Sequence, residues 1–237
     1  MFLPIHPLLA VFDKTLLVPF VGIGGVAVYF AAAGLLRRQR VKNLKSLAAR
    51  LHSAFRLEGS REDKELMAGS CLGIGLYNHV RNVIEPAPVD GVTMKVFDYS
   101  YSFKNGRNLD TATQTVVHLR SPVLQLPSFL LRPKSTLARI GQSLGAPGID
   151  LADAPGFNSR FLLRGENEGM VRRSFTPSVI RHFEQLPAIC VGGGGDTLVV
   201  YRDRKLAKPM DFPERLAEAR AIALALSGSC SPSPATA

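Results

Sequence analysis

Apolar positions follow three different rhythms along this chain. The first is an unbroken run. Residues 15–36 read TLLVPFVGIGGVAVYFAAAGLL and carry no charge. A helix of that length would be about 33 Å long, and a bilayer's hydrocarbon core is about 30 Å thick. Pro19, Gly22, Gly24 and Gly25 would weaken a helix in water, but membrane helices tolerate them. A surface helix of a soluble domain shows a polar face, and this run has none. The pattern predicts one transmembrane helix over residues 15–36. A short segment, 1–14, precedes it, with Pro4 and Pro7 breaking any helix there.

The second rhythm is helical. Val41, Leu44, Ala48, Leu51 and Phe55 recur at alternating steps of three and four, with basic residues between them. This predicts an amphipathic juxtamembrane helix over 37–56. The third rhythm is a period of two. Phe97, Tyr99, Tyr101 and Phe103 fall on one face of a strand near 92–103, and a second strand follows near 111–120. Lys104-Asn105-Gly106 begins a turn, so the pair reads as a hairpin with a long loop.

Weaker signals fill in the remainder. Residues 58–64 are charged and read as a loop, and residues 66–84 are mixed, a helix weakened by the glycines Gly69, Gly73 and Gly75. Residues 123–131 suggest a strand broken by Pro127, 135–144 a short helix, and 161–164 a short strand. A helix is expected over 166–175. Another restarts with Thr176 as N-cap, Pro177 at its first position, and Phe175 and Ile180 placed for a hydrophobic staple. Residues 189–202 read as a hairpin turning at 192–195. Asp211 and Glu214 resemble a capping box before a last helix ending near Leu226. The fold class expected is α+β, with an antiparallel sheet and packed helices over 57–227 and a small-residue, proline-rich tail at 228–237.

Charge adds orientation. The net charge is +10, but seven basic residues fall within 37–56 with no acid among them. The excess therefore belongs to the flank of the apolar run and not to a nucleic-acid surface, and no nucleic-acid partner is expected. Arg37, Arg38, Arg40, Lys42 and Lys45 are the candidate contacts to anionic lipid headgroups. The positive-inside rule puts the following domain in the cytoplasm, at the inner membrane if the source is bacterial. Ala31-Ala32-Ala33 could imitate a signal-peptidase site, but the basic cluster follows the apolar run instead of preceding it. Ala27 and Ala31 have a spacing that can pack two membrane helices, and the helical repeat after them is too short to argue a coiled coil. A homo-oligomer is left open.

Candidate chemistry is sparse. Gly141-Gln142-Ser143-Leu144-Gly145 matches G-x-S-x-G, and Asp150 or Asp153 and then His182 follow in the order of a hydrolase triad. That motif needs a strand before the serine and a helix after it, and here a helical pattern precedes and Ala-Pro-Gly follows. Gly192 to Gly195 could cradle a phosphate, but no G-K-[ST] ends the run and a strand follows it. Asp150 and Asp153 sit among turn residues and are read as Asx-type loop contacts. No two of His6, His52, His79, His118 and His182 have metal-site spacing. Cys71, Cys190 and Cys230 form neither a disulfide framework nor a C-x-x-C pair. The aromatic stripe at 97–103 lacks the basic neighbours of a base-stacking sheet and is read as core-facing. No cofactor, metal or catalytic residue is expected.

Four segments carry a resemblance: RNVIEPAPVDGVTMKVFDYSY at 81–101, QTVVHLRSPVLQLPSFLLRP at 114–133, GFNSRFLLRGENEGMVRRSFTP at 156–177 and TLVVYR at 197–202. Through them, most of residues 38–226 resembles a family of functionally uncharacterised bacterial single-pass membrane proteins with an N-terminal transmembrane helix and a soluble α+β domain. The resemblance implies an anchor and a domain and assigns no activity. The chain departs from the pattern at Glu85-Pro86-Ala87-Pro88, where a glycine turn would be expected. The sequence thus points to a membrane-tethered, non-enzymatic domain that binds a protein partner at the cytoplasmic face, with recognition of anionic lipid as the alternative and a serine hydrolase using Ser143 as a remote third. A reporter active only in the cytoplasm, fused after Leu226, is expected to be active; activity of an externally restricted reporter at that position would overturn the orientation.

Overall fold

The computed structural model describes the backbone of residues 14–68, 76–105, 107–139 and 148–228. The chain forms two compact units, residues 1–43 and 44–237. Helix α1 (Lys14–Arg50) contains all of the uncharged run. Among the described residues no helix is long and apolar enough to cross a membrane. The side chains of 15–27, on which the expected span at 15–36 mostly rests, lie outside the described residues.

The second unit is built on one eight-stranded antiparallel sheet. Its strands are β1 (Ala54–Glu58), β2 (Leu76–Glu85), β3 (Thr93–Asn105), β4 (Asn108–Arg120), β5 (Leu126–Pro133), β6 (Phe161–Gly165), β7 (Cys190–Gly195) and β8 (Thr197–Tyr201), in the order β1-β2-β3-β4-β8-β7-β5-β6. The helices are α2 (Arg61–Ala68), α3 (Pro155–Arg160), α4 (Glu168–Ser174), α5 (Pro177–Gln185) and α6 (Phe212–Ser227). The α+β expectation holds at this level.

Alternation explains the layering. Val96, Val117, Leu119, Leu131, Leu163, Val191, Leu198 and Val200 point to one face, where they pack with Leu44, Leu47 and Ala48 of α1 and Phe212, Ala219, Ile222 and Leu226 of α6. An aromatic knot joins this core: Phe175 meets Phe129 edge-on at 5.2 Å and stacks on Phe183 at 5.9 Å. A smaller cluster on the opposite face holds Val80, Phe97, Tyr99, Val116, Cys190 and Tyr201. Phe97 and Tyr99 are therefore core residues, and base stacking on them is ruled out by their burial.

Several local expectations are corrected. The helix expected over 37–56 ends at Arg50; His52 turns the chain in a left-handed conformation (φ 49°), and Phe55 belongs to edge strand β1. The loop expected at 58–64 holds the start of α2. There the Ser60 N–H donates to the Asp63 carboxylate (2.8 Å) while the Asp63 N–H donates to the Ser60 hydroxyl (3.1 Å), a reciprocal cap. The β3–β4 hairpin has no long loop, since its ladder runs to Asn105 opposite Asn108. The β2–β3 turn is Asp90-Gly91, both with positive φ (53° and 72°), where the family pattern was expected to place a glycine turn four or five residues earlier. Pro127 lies inside β5, in the stretch where the ladder shifts register between Leu126 and Phe129. Residues 192–194 are ladder and not turn: Gly194 pairs with Thr197, so of the expected turn only Gly195 (φ 59°) makes the bend, together with Asp196. Thr176 does cap α5 by position, but its hydroxyl bonds Ser178 and not the backbone. Asp211 accepts the Lys208 N–H (3.3 Å) and makes no box with Glu214.

The strand glycines have a packing reason. A Cβ on Gly193 would collide with the ring edge of Phe129 and lie 3.0 Å from Leu126 Cδ1. Both neighbours are buried and cannot swing away. Gly193→Ala is expected to cost about 1–3 kcal/mol in urea unfolding, through overpacking; an unchanged midpoint would show that the Phe129 ring has room to move.

Candidate functional site

Three places bring polar or charged groups together, and the predicted basic collar is the first. Within the first unit Arg37, Arg38 and Lys42 are exposed and Arg40 is half-buried, while Gln39 donates to Asn43 at 3.0 Å. Lys45 belongs to the second unit, exposed, with its ammonium 5.8 Å from the centre of the Phe55 ring.

The second place is a charge cluster on the sheet face opposite the main core. Asp63 of α2 is buried, and its carboxylate meets Arg56 at 2.9 Å and Lys95 at 3.1 Å. Glu85 completes the group, 3.5 Å from Arg56 and 4.0 Å from Lys95. Burial works to raise the Asp63 carboxyl, but the Ser60 N–H and hydroxyl with Arg56 and Lys95 outweigh it and hold it down at about 2. His118 sits opposite Lys95 in the ladder. Burial, with help from the Lys95 charge, lowers its imidazole to about 4. The cluster pins α2 to the sheet and presents no nucleophile. It reads as structural.

The third is a cleft of about 170 Å³ between β4, β8 and α6. The segment after β8 builds it. Instead of leaving the sheet, this segment runs along β4: the Thr115 N–H donates to the Lys205 carbonyl (3.0 Å), the Arg204 N–H to Gln114 Oε1 (3.0 Å) and the Ala207 N–H to the Thr115 hydroxyl (2.9 Å). Val117, Val200 and Ala207 make the cleft's apolar floor. In its wall Arg202 and Glu218 form an ion pair at 2.7 Å with both side chains only 13% exposed, and Arg215 approaches Glu218 at 3.4 Å. Burial raises the Glu218 carboxyl, against the pull of Arg202. Lys205 and Lys208 stand exposed at the rim.

The other sequence candidates do not converge. Ser143 and its G-x-S-x-G neighbours lie outside the described residues. Asp150 and Asp153 are exposed, and among the described residues no hydrogen bond joins either to His182. Their loop is closed by Asn158, which accepts from the Leu151 N–H (3.0 Å) and donates to the Leu151 carbonyl (2.8 Å). The expected Asx contacts therefore come from a residue the sequence did not single out. The glycines at 192–195 are occupied in pairing with β5 and β8. The Cys190 thiol is buried, and burial pushes it up to about 12, far from a reactive thiolate. Among the described residues no group of three or more His, Cys, Asp or Glu could hold a metal. The cleft was missed because its residues are spread over more than a hundred positions. The reciprocal cap at Ser60 and Asp63 was an overlooked local signal.

No protein-family model matches the chain, and no curated protein matches it. Among solved structures, the crystal structure of the mycobacterial trehalose monomycolate transport factor A, TtfA, has the same fold: the TM-score is 0.57 at 13% identity, over 83% of this chain and 99% of that one.

The titrations above set a pH profile. An unfolded imidazole takes its proton near 6.5 and the folded His118 near 4, so stability is full above about 6.5 and falls as pH drops toward 4, by about 1.4 kcal/mol per pH unit. The Asp63 contribution is present above about 3.9 and is lost as pH falls toward 2. Urea midpoints measured from pH 7 to pH 4 are expected to decline, and His118→Gln should flatten that decline. A variant with the parent slope would assign it to other groups.

Proposed function

We propose that this chain is a membrane-tethered, non-enzymatic domain that binds a protein partner at the cytoplasmic face of the membrane. The observation that carries the proposal is the make-up of α1. One helix contains an uncharged run, then exposed basic residues, then Leu44, Leu47 and Ala48, which are buried in the core of the second unit. A tether that ends as part of the domain core holds the domain near the bilayer. The fold shared with a trehalose monomycolate transport factor supports a membrane-associated accessory role over a catalytic one. The resemblance to bacterial single-pass proteins fits the same arrangement.

A second proposal follows from the exposure of Arg37, Arg38, Lys42 and Lys45. The collar reads anionic headgroups, at about 1 kcal/mol per basic residue near the surface. The two are separable by experiment. The full-length chain, purified from its native membrane in mild detergent, is expected to bring down a defined membrane protein. Changing Arg37, Arg38, Arg40, Lys42 and Lys45 to Gln should leave that recovery intact while weakening retention on anionic vesicles, the more so at low salt. If no partner is recovered, the first proposal fails; if vesicle retention is unmoved, the second does.

A further inference from the structure

The cleft beside α6 has a composition that neither the tether nor the collar explains. Its floor is apolar, formed by Val117, Val200 and Ala207. Its acids are already engaged. Glu218 lies between Arg202 and Arg215, and Asp211 accepts the Lys208 N–H. The charge left over is cationic. The ammonium groups of Lys205 and Lys208 are exposed at the rim and make no ion pair among the described residues. Between and beside them Leu206 is 45% exposed and Met210 is 77% exposed. An apolar floor, a rim with unspent positive charge and apolar side chains held toward solvent are complementary to one kind of molecule.

We propose that this cleft binds an amphipathic anion, with its phosphate or carboxylate on Lys205 and Lys208 and its apolar body on Val117, Val200 and Ala207. Size limits that body. An engineered apolar cavity of about 150 Å³ binds benzene, so a cleft of about 170 Å³ takes a ring or a short stretch of acyl chain and not a whole lipid tail. Such a ligand has two sources. A free small amphiphile could enter from water. Alternatively, a lipid at the bilayer surface could offer its headgroup and first methylenes, with Leu206 and Met210 reaching into the interface. The site is independent of the protein-partner proposal and of the collar.

The test uses the full-length chain in phosphatidylcholine nanodiscs, with methyl-labelled valine and alanine, titrated with phenyl phosphate. Saturable shifts of the Val117, Val200 and Ala207 methyls are expected. Inorganic phosphate, which lacks the apolar body, should act at least tenfold more weakly. Lys205→Gln with Lys208→Gln should weaken phenyl phosphate at least tenfold without moving the melting temperature, since both side chains are exposed. Ala207→Leu, which fills the floor, should abolish the shifts. In discs where part of the phosphatidylcholine is replaced by phosphatidic acid, the same methyls shift without added ligand if a lipid is the source, and phenyl phosphate then competes. If they respond to phenyl phosphate alone, the source is a free amphiphile. Methyls that respond in neither arm, or that respond equally in the double lysine variant, overturn the proposal.

Discussion

The carboxylate of Asp98 is the constraint from which much of the second unit follows. It is buried in the middle of β3 on the face that carries the main core. A carboxylate taken out of water must be bonded or it costs several kcal/mol. Asn82 of β2 donates to it at 2.9 Å and the Thr115 hydroxyl of β4 at 3.2 Å, so one residue ties three strands together. Satisfying it deforms its neighbours. Asn82 takes a left-handed backbone (φ 53°) where the β2–β3 ladder shifts register between Arg81 and Ile84. Thr115 passes the bond on by accepting the Ala207 N–H, which holds the chain after β8 against β4. Without that docking, Leu206, Ala207 and Lys208 would not line the cleft.

How much of this was legible follows from which residues speak for themselves. Strands β3, β4 and β8 were plain because their side chains alternate and their β-branched and aromatic residues fit a pleat. Strand β7 was misread because Gly192 to Gly195 have no side chains to alternate. Their glycines are there for the partner's sake, since Gly193 makes room for Phe129. The start of α2 was hidden in a charged stretch. Asp63 looks like a loop acid until Ser60, Arg56 and Lys95 are seen around it, one the cap of its own helix and the others from β1 and β3. Helix α1 was extended too far because Leu51 and Phe55 continue the helical rhythm by coincidence. Phe55 belongs instead to the β1 ladder, opposite Ile84. The cleft was not legible at all. Residues 115, 117, 200, 207 and 218 meet only because strand order places β4 beside β8, which no local pattern encodes.

The two faces of the sheet solve their charge problems differently. On the core face, charge is internal and settled: Asp98 is bonded within the sheet, and Glu218 is matched by Arg202 from the end of β8. On the opposite face, Asp63 collects Arg56 and Lys95 around the foot of α2. A buried ion pair adds little net stability, because desolvation offsets most of its attraction. What it does is make any other placement costly. Moving α2 would strand Asp63 without its cations, so the cluster determines where α2 sits more than how firmly the domain folds.

The segment after β8 shows how such locking can coexist with a changeable surface. Its backbone is committed: the Arg204 N–H, the Lys205 carbonyl and the Ala207 N–H are all bonded to Gln114 or Thr115. Three of its side chains are not. Whereas Arg202 is paired with Glu218 and Arg204 lies over the Phe103 ring at 4.2 Å, Lys205, Leu206 and Lys208 are exposed. A connection held by its main chain can exchange those side chains without disturbing the sheet beneath, which is the usual condition for recognition on a rigid scaffold. Fixed order below and free chemistry above are therefore consequences of one arrangement, in which a buried carboxylate on β3 orders a hydroxyl on β4, and that hydroxyl orders the rim of the cleft.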